Sequence, residues 1–352
     1  MNKEWSEKNK KMQSLIVKEA SFKEGIDVLI ELREDLFSQI TAIVNTFPKE
    51  AFYEMPFANA EGYHSKTLVY SIWHIFRIED IVAHTIIRND RQVLFTGDHL
   101  KKTGSPIITT GNELKGEKIK DFSKQLDFKA VYEYCKAVKD SSNEILKKLE
   151  YKDLKRRFSD EDKKRVIDSK SVSTDEEAVW LIDYWCDKDL GGLIKMPFSR
   201  HWIMHIEAMC RIKDKLCLKA RKGVDPIAFC GLSCTHCAYS EWCGSCRTDY
   251  NTCSFAKYSP DGLCPNVVCC EEKGFDGCYE CADIRNCKKG FYSMDDSANA
   301  VKATAIFINR YGKKELLSVM DNLRKRFDFE WTPEVLGNDI EEGLKILEKN
   351  RD

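Results

Sequence analysis

Two histidines stand four residues apart in SRHWIMHIEAMCRIKDKL, residues 199–216. Four residues make about one helical turn, so His201 and His205 share one face, which continues through Ala208 and Ile212. Such imidazoles offer two nitrogens to one divalent ion if a third ligand arrives from elsewhere; without it they are semi-buried histidines filling a helix interface. The third candidate is His74 in SIWHIFRIED, flanked by Ile72, Ile75 and Ile78. A polar ring in that company needs a partner, which a metal or a buried carboxylate supplies. Together the three histidines would leave an open coordination position, the arrangement with which a catalytic zinc lowers the pKa of a bound water or thiol. Beside His74, Arg77, Glu79 and Asp80 either orient that histidine or are surface charge with one buried pair to Arg200; surface charge is the expectation for Asp80. His84 reads as a packing or surface residue, and His64 and His99 as helix-end or loop residues.

The cysteines give a second signal. Of sixteen, Cys135, Cys186, Cys210 and Cys217 are scattered, while twelve crowd between Cys230 and Cys287. CGLSCTHC, CGSC and CCEEKGFDGCYEC contain three CxxC knuckles: Cys234/Cys237, Cys243/Cys246 and Cys278/Cys281. A knuckle lets two thiolates grip one ion, and two knuckles complete a tetrahedral site. Cys230, Cys253, Cys264, Cys269, Cys270 and Cys287 add ligands enough for three four-cysteine sites. The polar N-terminus, MNKEWSEKNKKMQ, is followed by no apolar signal region, so a cytoplasmic location is expected. There, clustered cysteines hold metal more often than they form bridges. Iron–sulfur clusters use the same thiolates, but the spacing departs from the ferredoxin CxxCxxC run, so zinc is the expected ion.

Helices must position the histidines. Phe22, Ile26, Leu29, Leu36, Ile40, Ile43 and Phe47 recur at three- and four-residue steps; Arg33 interrupts the row, which predicts a seam drifting onto Ile30, Phe37 and Val44. Further helices are expected over 64–89, 128–149 and about 175–218, the last broken by DLGGLIKMPFS through Gly191, Gly192 and Pro197. Polar connections over 97–127 and 152–174 separate them, the first long enough to carry a lid or contact function. The fold class is therefore mainly α, a four-helix bundle over residues 1–222, with ARKGVDP as linker. A second domain, 226–352, begins with the cysteine-rich segment, too poor in apolar residues for a core of its own, and ends in helices near 295–310, 313–327 and 333–349.

SIWHIFRIEDIVAH followed far downstream by RHWIMHIEAMCRI resembles the DinB family of damage-inducible four-helix bundles, over about residues 14–218. The resemblance implies a divalent ion, zinc or nickel, held by one histidine of the second helix and an HxxxH pair of the last; characterised relatives include thiol S-transferases that use bacillithiol and a mycothiol-dependent isomerase. Relatives often carry histidines at three successive turns of the last helix, and here the third turn has Met209. If the lower pair is the ligating one, only His205 of it is kept and His201 is a bystander. CGLSCTHC, CGSCR and CCEEKGFDGCYEC, with the helices after them, resemble an uncharacterised bacterial cysteine-rich domain over about 226–348, which implies a zinc-ribbon-like structure.

With 352 residues and a formal net charge of −1, the chain has no basic footprint for nucleic acid; from 230 to 289 six basic residues face eight acidic ones. No apolar run approaches the ~18 residues of a spanning helix, so no membrane association is expected. Two functions follow. One is a metal-dependent thiol S-transferase or hydrolase acting on a small electrophile, with a low-molecular-weight thiol as co-substrate. The other is a non-enzymatic stress scaffold or adaptor whose zinc domain binds a protein partner. His74 in its apolar stretch favours the first; Met209 and the lack of an evident general base favour the second. A homodimer is compatible with either.

Overall fold

The computed structural model describes residues 2–60, 62–238, 240, 243–250, 263–329 and 331–351. It is mainly helical; among the described residues there are isolated β-bridges and no strand. The chain divides into two compact units: Met1–Val44 with Lys49–Lys213, and Asn45–Pro48 with Asp214–Asp352. None of the described helices is long and apolar enough to cross a membrane.

The first unit holds α1 (Lys3–Ile16), α2 (Phe22–Thr46), α3 (Leu68–Asp80), α4 (His99–Thr103), α5 (Glu117–Gln125), α6 (Phe128–Lys148), α7 (Asp160–Asp168), α8 (Glu176–Cys186) and α9 (Leu190–Lys195). It also takes the first two-thirds of α10 (His201–Ala220). The apolar periodicity locates α2, α3 and α6 within a few residues. It does not reveal α1, which buries only Trp5, Met12 and Ile16. The two polar connections carry short helices of their own, α4 and α5 in the first and α7 in the second.

The helix at the centre is α3. Thr67 caps its N-terminus, accepting the Tyr70 amide at 3.1 Å while its hydroxyl meets Ser123 at 2.7 Å. Every residue from Leu68 to Asp80 is buried. A helix buried all round leaves its polar side chains no water, so each must find a protein partner. The helix runs on into a π-helical stretch, Ile81–Arg88, and stops at Asn89, whose left-handed φ of 53° ends the turn.

Three expectations need correction. Arg33 does not push the α2 seam aside: it is fully buried within it, and of the three residues expected to take the seam over, Phe37 is buried while Ile30 and Val44 are only half-buried. Arg77, Glu79 and Asp80 are not surface charge; all three are fully buried, and the Glu79 partner is Arg33, with Arg200 exposed. Gly191 and Gly192 do not break the last helical stretch but lie inside α9, where Asp189 caps the turn by accepting the Gly192 amide at 2.8 Å. The helix is interrupted after α8 and, as expected, at Pro197, in the π-helical turn Met196–Arg200 that leads into α10.

The second unit contains α11 (Pro265–Lys273), α12 (Ala298–Tyr311), α13 (Lys313–Arg326), α14 (Thr332–Leu336) and α15 (Ile340–Lys349). The cysteine-rich segment shares a core with these helices: Ile227, Leu232, Tyr279, Ile284 and Phe291 pack in one cluster with Val301 and Phe307 of α12, Leu316 and Leu323 of α13 and Leu347 of α15. Close approach is set by small residues. Gly231, in the CGLSC turn at φ +89°, lies so near α12 that a Cβ there would sit 2.7 Å from the Ala305 Cβ.

Candidate metal centre

His74 on α3 and His201 and His205 on α10 come together. One ring nitrogen from each lies within 4.8 Å of the others, and all three residues are buried. Ring centroids are 5.3 Å apart for His74 and His201, 4.7 Å for His74 and His205, and 4.5 Å for His201 and His205. His201 therefore stands with the other two, and Met209, one turn below His205, is fully buried. Among the described residues this is the group of three or more His, Cys, Asp or Glu side chains whose ligand atoms come that close.

Burial sets the protonation of the site. Desolvation pushes His74 down to about 4, opposed by its hydrogen bond to the Thr110 carbonyl and assisted by nearby Lys66. His201 and His205 lie well below the usual imidazole range, by desolvation first and then by repulsion among the rings. At neutral pH all three imidazoles are uncharged and keep a lone pair, the form in which histidine ligates a metal.

The residues fit a divalent ion on a further count. His74 donates its Nδ1–H to the Thr110 carbonyl at 2.8 Å, which fixes its tautomer and leaves Nε2 as the acceptor. Nδ1 of His201 and Nδ1 of His205 are buried without a hydrogen-bond partner. An orphaned buried nitrogen costs about 1–3 kcal/mol, so two beside each other on one helix are an unbalanced arrangement for mere packing histidines.

Around the triad, the elements are fixed by buried charge. Arg33 makes a bidentate pair with Glu79 (2.7 and 2.8 Å), donates to Asn143 Oδ1 at 2.7 Å and the Phe198 carbonyl at 3.1 Å, and stacks 4.3 Å from the Trp202 ring. Glu79 also accepts the Trp202 indole N–H at 2.7 Å. This network joins α2, α3, α6 and α10 and holds Trp202 beside His201. Arg77 pairs with Asp80 at 3.1 Å, and Asp80 accepts the Val93 and Leu94 amides and the Tyr134 hydroxyl at 2.8–3.0 Å.

The first polar connection lies along α3. Tyr70 Oη donates to the Gly111 carbonyl at 2.8 Å, His74 Nδ1 to Thr110 at 2.8 Å and Arg77 Nε to Ile108 at 2.9 Å. Residues 70, 74 and 77 follow one helical face, and three carbonyls of the loop meet them in reverse order. Tyr70 also stacks on His74 with ring centroids 5.6 Å apart. The loop thus supplies the backbone that orients the histidine.

Two residues that the sequence does not single out reach the triad from the segment before α3. Tyr63, half-exposed, meets the His205 ring edge-on at 4.7 Å. Lys66 holds its Nζ 4.9 Å from the Tyr70 ring centroid. It is half-buried, no carboxylate lies in ion-pair range among the described residues, and desolvation with Lys115 lowers its pKa. His84 is buried and bonded to Asp90 Oδ1 (2.6 Å) and Ser141 (3.1 Å), away from the triad.

In the second unit, no disulfide joins any of the described cysteines. Cys270 and Cys278 sulfurs lie 3.6 Å apart. Cys269, Cys270, Cys278, Cys281 and Cys287 line one cavity of about 190 Å³. Cys230, Cys264 and Cys246 lie near one another: Cys246 packs on Cys264, and burial first, then the nearness of Cys246, Cys278 and Cys264, pushes the Cys230 thiol well up. Cys234 and Cys237 flank a 3₁₀ turn, and Cys243 accepts the Ser245 amide at 3.4 Å. Cys253 lies outside the described residues.

Comparison with protein-family models, with curated proteins and with solved structures returns no match to this chain.

Proposed function

We propose that the first unit is a DinB-like four-helix bundle, built on α2, α3, α6 and α10, and that it uses His74, His201 and His205 to hold one divalent ion, zinc or nickel, for thiol transfer to a small electrophile or for its hydrolysis. The single observation that carries this reading is the convergence of three buried, neutral imidazoles, two of them with orphaned nitrogens. An ion bound there would make a thiol or water more acidic at neutral pH. The protein's own residues do the rest. Thr110 keeps His74 in one tautomer, the Arg33–Glu79–Trp202 network keeps α10 in register with α3, and Tyr63 forms the half-exposed edge through which a small molecule reaches the rings. Lys66 supplies positive charge for an anionic co-substrate, a thiolate or a carboxylate carried by a low-molecular-weight thiol. The cysteines of the second unit are read as thiolate ligands of structural zinc, in a zinc-ribbon-like domain.

The test is elemental analysis of the full chain and of His74→Ala and His205→Ala, paired with turnover of a chlorodinitrobenzene electrophile by cysteine. The wild type should hold one metal more per chain than either variant, and only the wild type should accelerate the reaction. Equal metal content in all three ends the proposal. Metal loss without any accelerated reaction would leave the stress scaffold or adaptor, binding a protein partner through the zinc domain, as the better reading.

A further inference from the structure

Away from the three clustered histidines, another group of side chains in the first unit forms an ordered chain of hydrogen bonds. His84 Nδ1 bonds Asp90 Oδ1 at 2.6 Å, and its Nε2 meets the Ser141 hydroxyl at 3.1 Å. A carboxylate only accepts, so in the neutral ring the proton sits on Nδ1 and Nε2 keeps its lone pair. Ser141 Oγ is then the donor, with its hydrogen aimed at a base. Hydroxyl on Nε2 and carboxylate on Nδ1 is the arrangement that makes a serine nucleophilic.

Each member is placed by its element. His84 lies within the π-helical stretch Ile81–Arg88, a form of turn found mostly where function uses it. Its carbonyl accepts the amides of both Asn89 and Asp90, the latter at 2.9 Å, and the left-handed Asn89 turns Asp90 back onto the ring. Arg88 Nε lies 3.6 Å from the other carboxylate oxygen of Asp90. Ser141 comes from α6. Its neighbour Ser142 returns its hydroxyl to the Val138 carbonyl at 2.8 Å, a common habit of serine within a helix, whereas the Ser141 hydroxyl reaches across to the imidazole. His84 is 6% exposed, Ser141 half-buried and Asp90 exposed, so the base is shielded while the hydroxyl lies at the surface of the unit. Ala137, one turn before Ser141 on the same face, and Asp140 line a surface groove of about 680 Å³ that extends to His99 and Lys102 of α4.

We propose that Ser141 and His84 carry a second activity, the hydrolysis of activated esters through an acyl-serine, with Asp90 as the positioning residue. It uses no residue of the histidine metal centre and stands apart from that reading. In the first step Ser141 Oγ bonds the ester carbonyl carbon and its proton passes to His84 Nε2. The bond to the leaving alcohol then breaks as that proton is handed to the departing oxygen. Water attacks the acyl-serine in turn, giving its proton to Nε2; the carboxylic acid departs and Oγ regains its hydrogen. Water is the co-reactant, and no electron changes hands. The substrate class follows from what α6 withholds: the Ser141 amide is bound within the helix, so the serine brings no backbone donor of its own for a developing oxyanion. Aryl esters, whose leaving group is already good, need that help least.

The test is labelling of the full chain by diisopropyl fluorophosphate, in which Oγ bonds phosphorus and fluoride leaves, beside turnover of p-nitrophenyl acetate. Peptide mass spectrometry should place the adduct on Ser141, and Ser141→Ala should lose both the adduct and the turnover. His84→Gln should slow both by about a hundredfold, the lower end of what a general base contributes. Asp90→Asn should slow both by about tenfold or more with unchanged far-UV circular dichroism, and Asp90→Glu should restore most of that loss, a rescue that a merely structural carboxylate would not show. Where His84→Gln does not fold, the exposed Asp90→Asn decides alone. An unlabelled Ser141 in the wild type overturns the proposal, as does labelling at the wild-type rate in folded His84→Gln or in Asp90→Asn.

Discussion

His74, His201 and His205 make acid the natural probe of the first unit. In the unfolded chain an imidazole titrates near 6.5, whereas in the folded chain His74 stays neutral to about 4 and burial holds the other two well below the usual imidazole range as well. Below ~6.5 the unfolded state takes up protons that the folded state refuses, so stability is full above that value and falls as pH drops toward the folded values. Between pH 7 and 5.5 each histidine contributes a loss of about 1 kcal/mol in the metal-free chain. Carboxylates scarcely titrate in that window, so urea midpoints should fall steadily across it, and less steeply in His205→Gln. An unchanged slope in that variant would show that the buried rings are not the titrating groups. Lys66 has a separate consequence. Its substitution by Met removes the positive charge beside Tyr70 and should raise the Kd of the metal-loaded protein for mercaptoacetate about tenfold, roughly 1.4 kcal/mol, with metal content unchanged, as calorimetry would read.

The elements around the site are tied by a charge pair that no local pattern announces. Arg33 and Glu79 are single charges in two apolar helices, and they become partners only where α2 crosses α3. Glu79→Gln or Arg33→Met strands the other charge in a dry interior and should cost about 3–5 kcal/mol in urea denaturation, whereas the double replacement Arg33→Met/Glu79→Leu should recover most of that loss. If the double variant is no better than the singles, the pair contributes through something other than charge burial. The same contrast explains what was legible in the sequence. The three histidines stood out because a titratable ring in an apolar helical row is chemically anomalous, and α2, α3 and α6 because their burial repeats with the helical period. Arg33 was readable only as an interruption, since its partner is 46 residues away. α1 escaped notice because three buried residues in fourteen give too thin a stripe. The carbonyls of Ile108, Thr110 and Gly111 could not be read at all: main-chain atoms carry no residue identity, and loop conformation brings them to α3.

For the molecule as a whole, two units differ in what holds them. The first has a continuous apolar core from Met12 to Phe198. The second joins its cysteine-rich segment to the C-terminal helices through one shared core, so the segment is neither wholly metal-built nor independent. A strong chelator should therefore make its cysteines reactive to a thiol reagent while most far-UV helicity persists; coincident loss of all helical signal would show that the shared core cannot stand without metal. The connection over α3 has a consequence of a different kind. Its carbonyls at 108, 110 and 111 clasp Tyr70, His74 and Arg77, so it cannot lift without undoing the hydrogen bond that sets the His74 tautomer. A ligand on that ring would then be felt as slower opening of a surface segment some distance along the chain. Amide exchange and trypsin cleavage near Lys115 become a clock for occupancy of the histidines, ticking more slowly when the ring is engaged, and readable without any knowledge of the substrate.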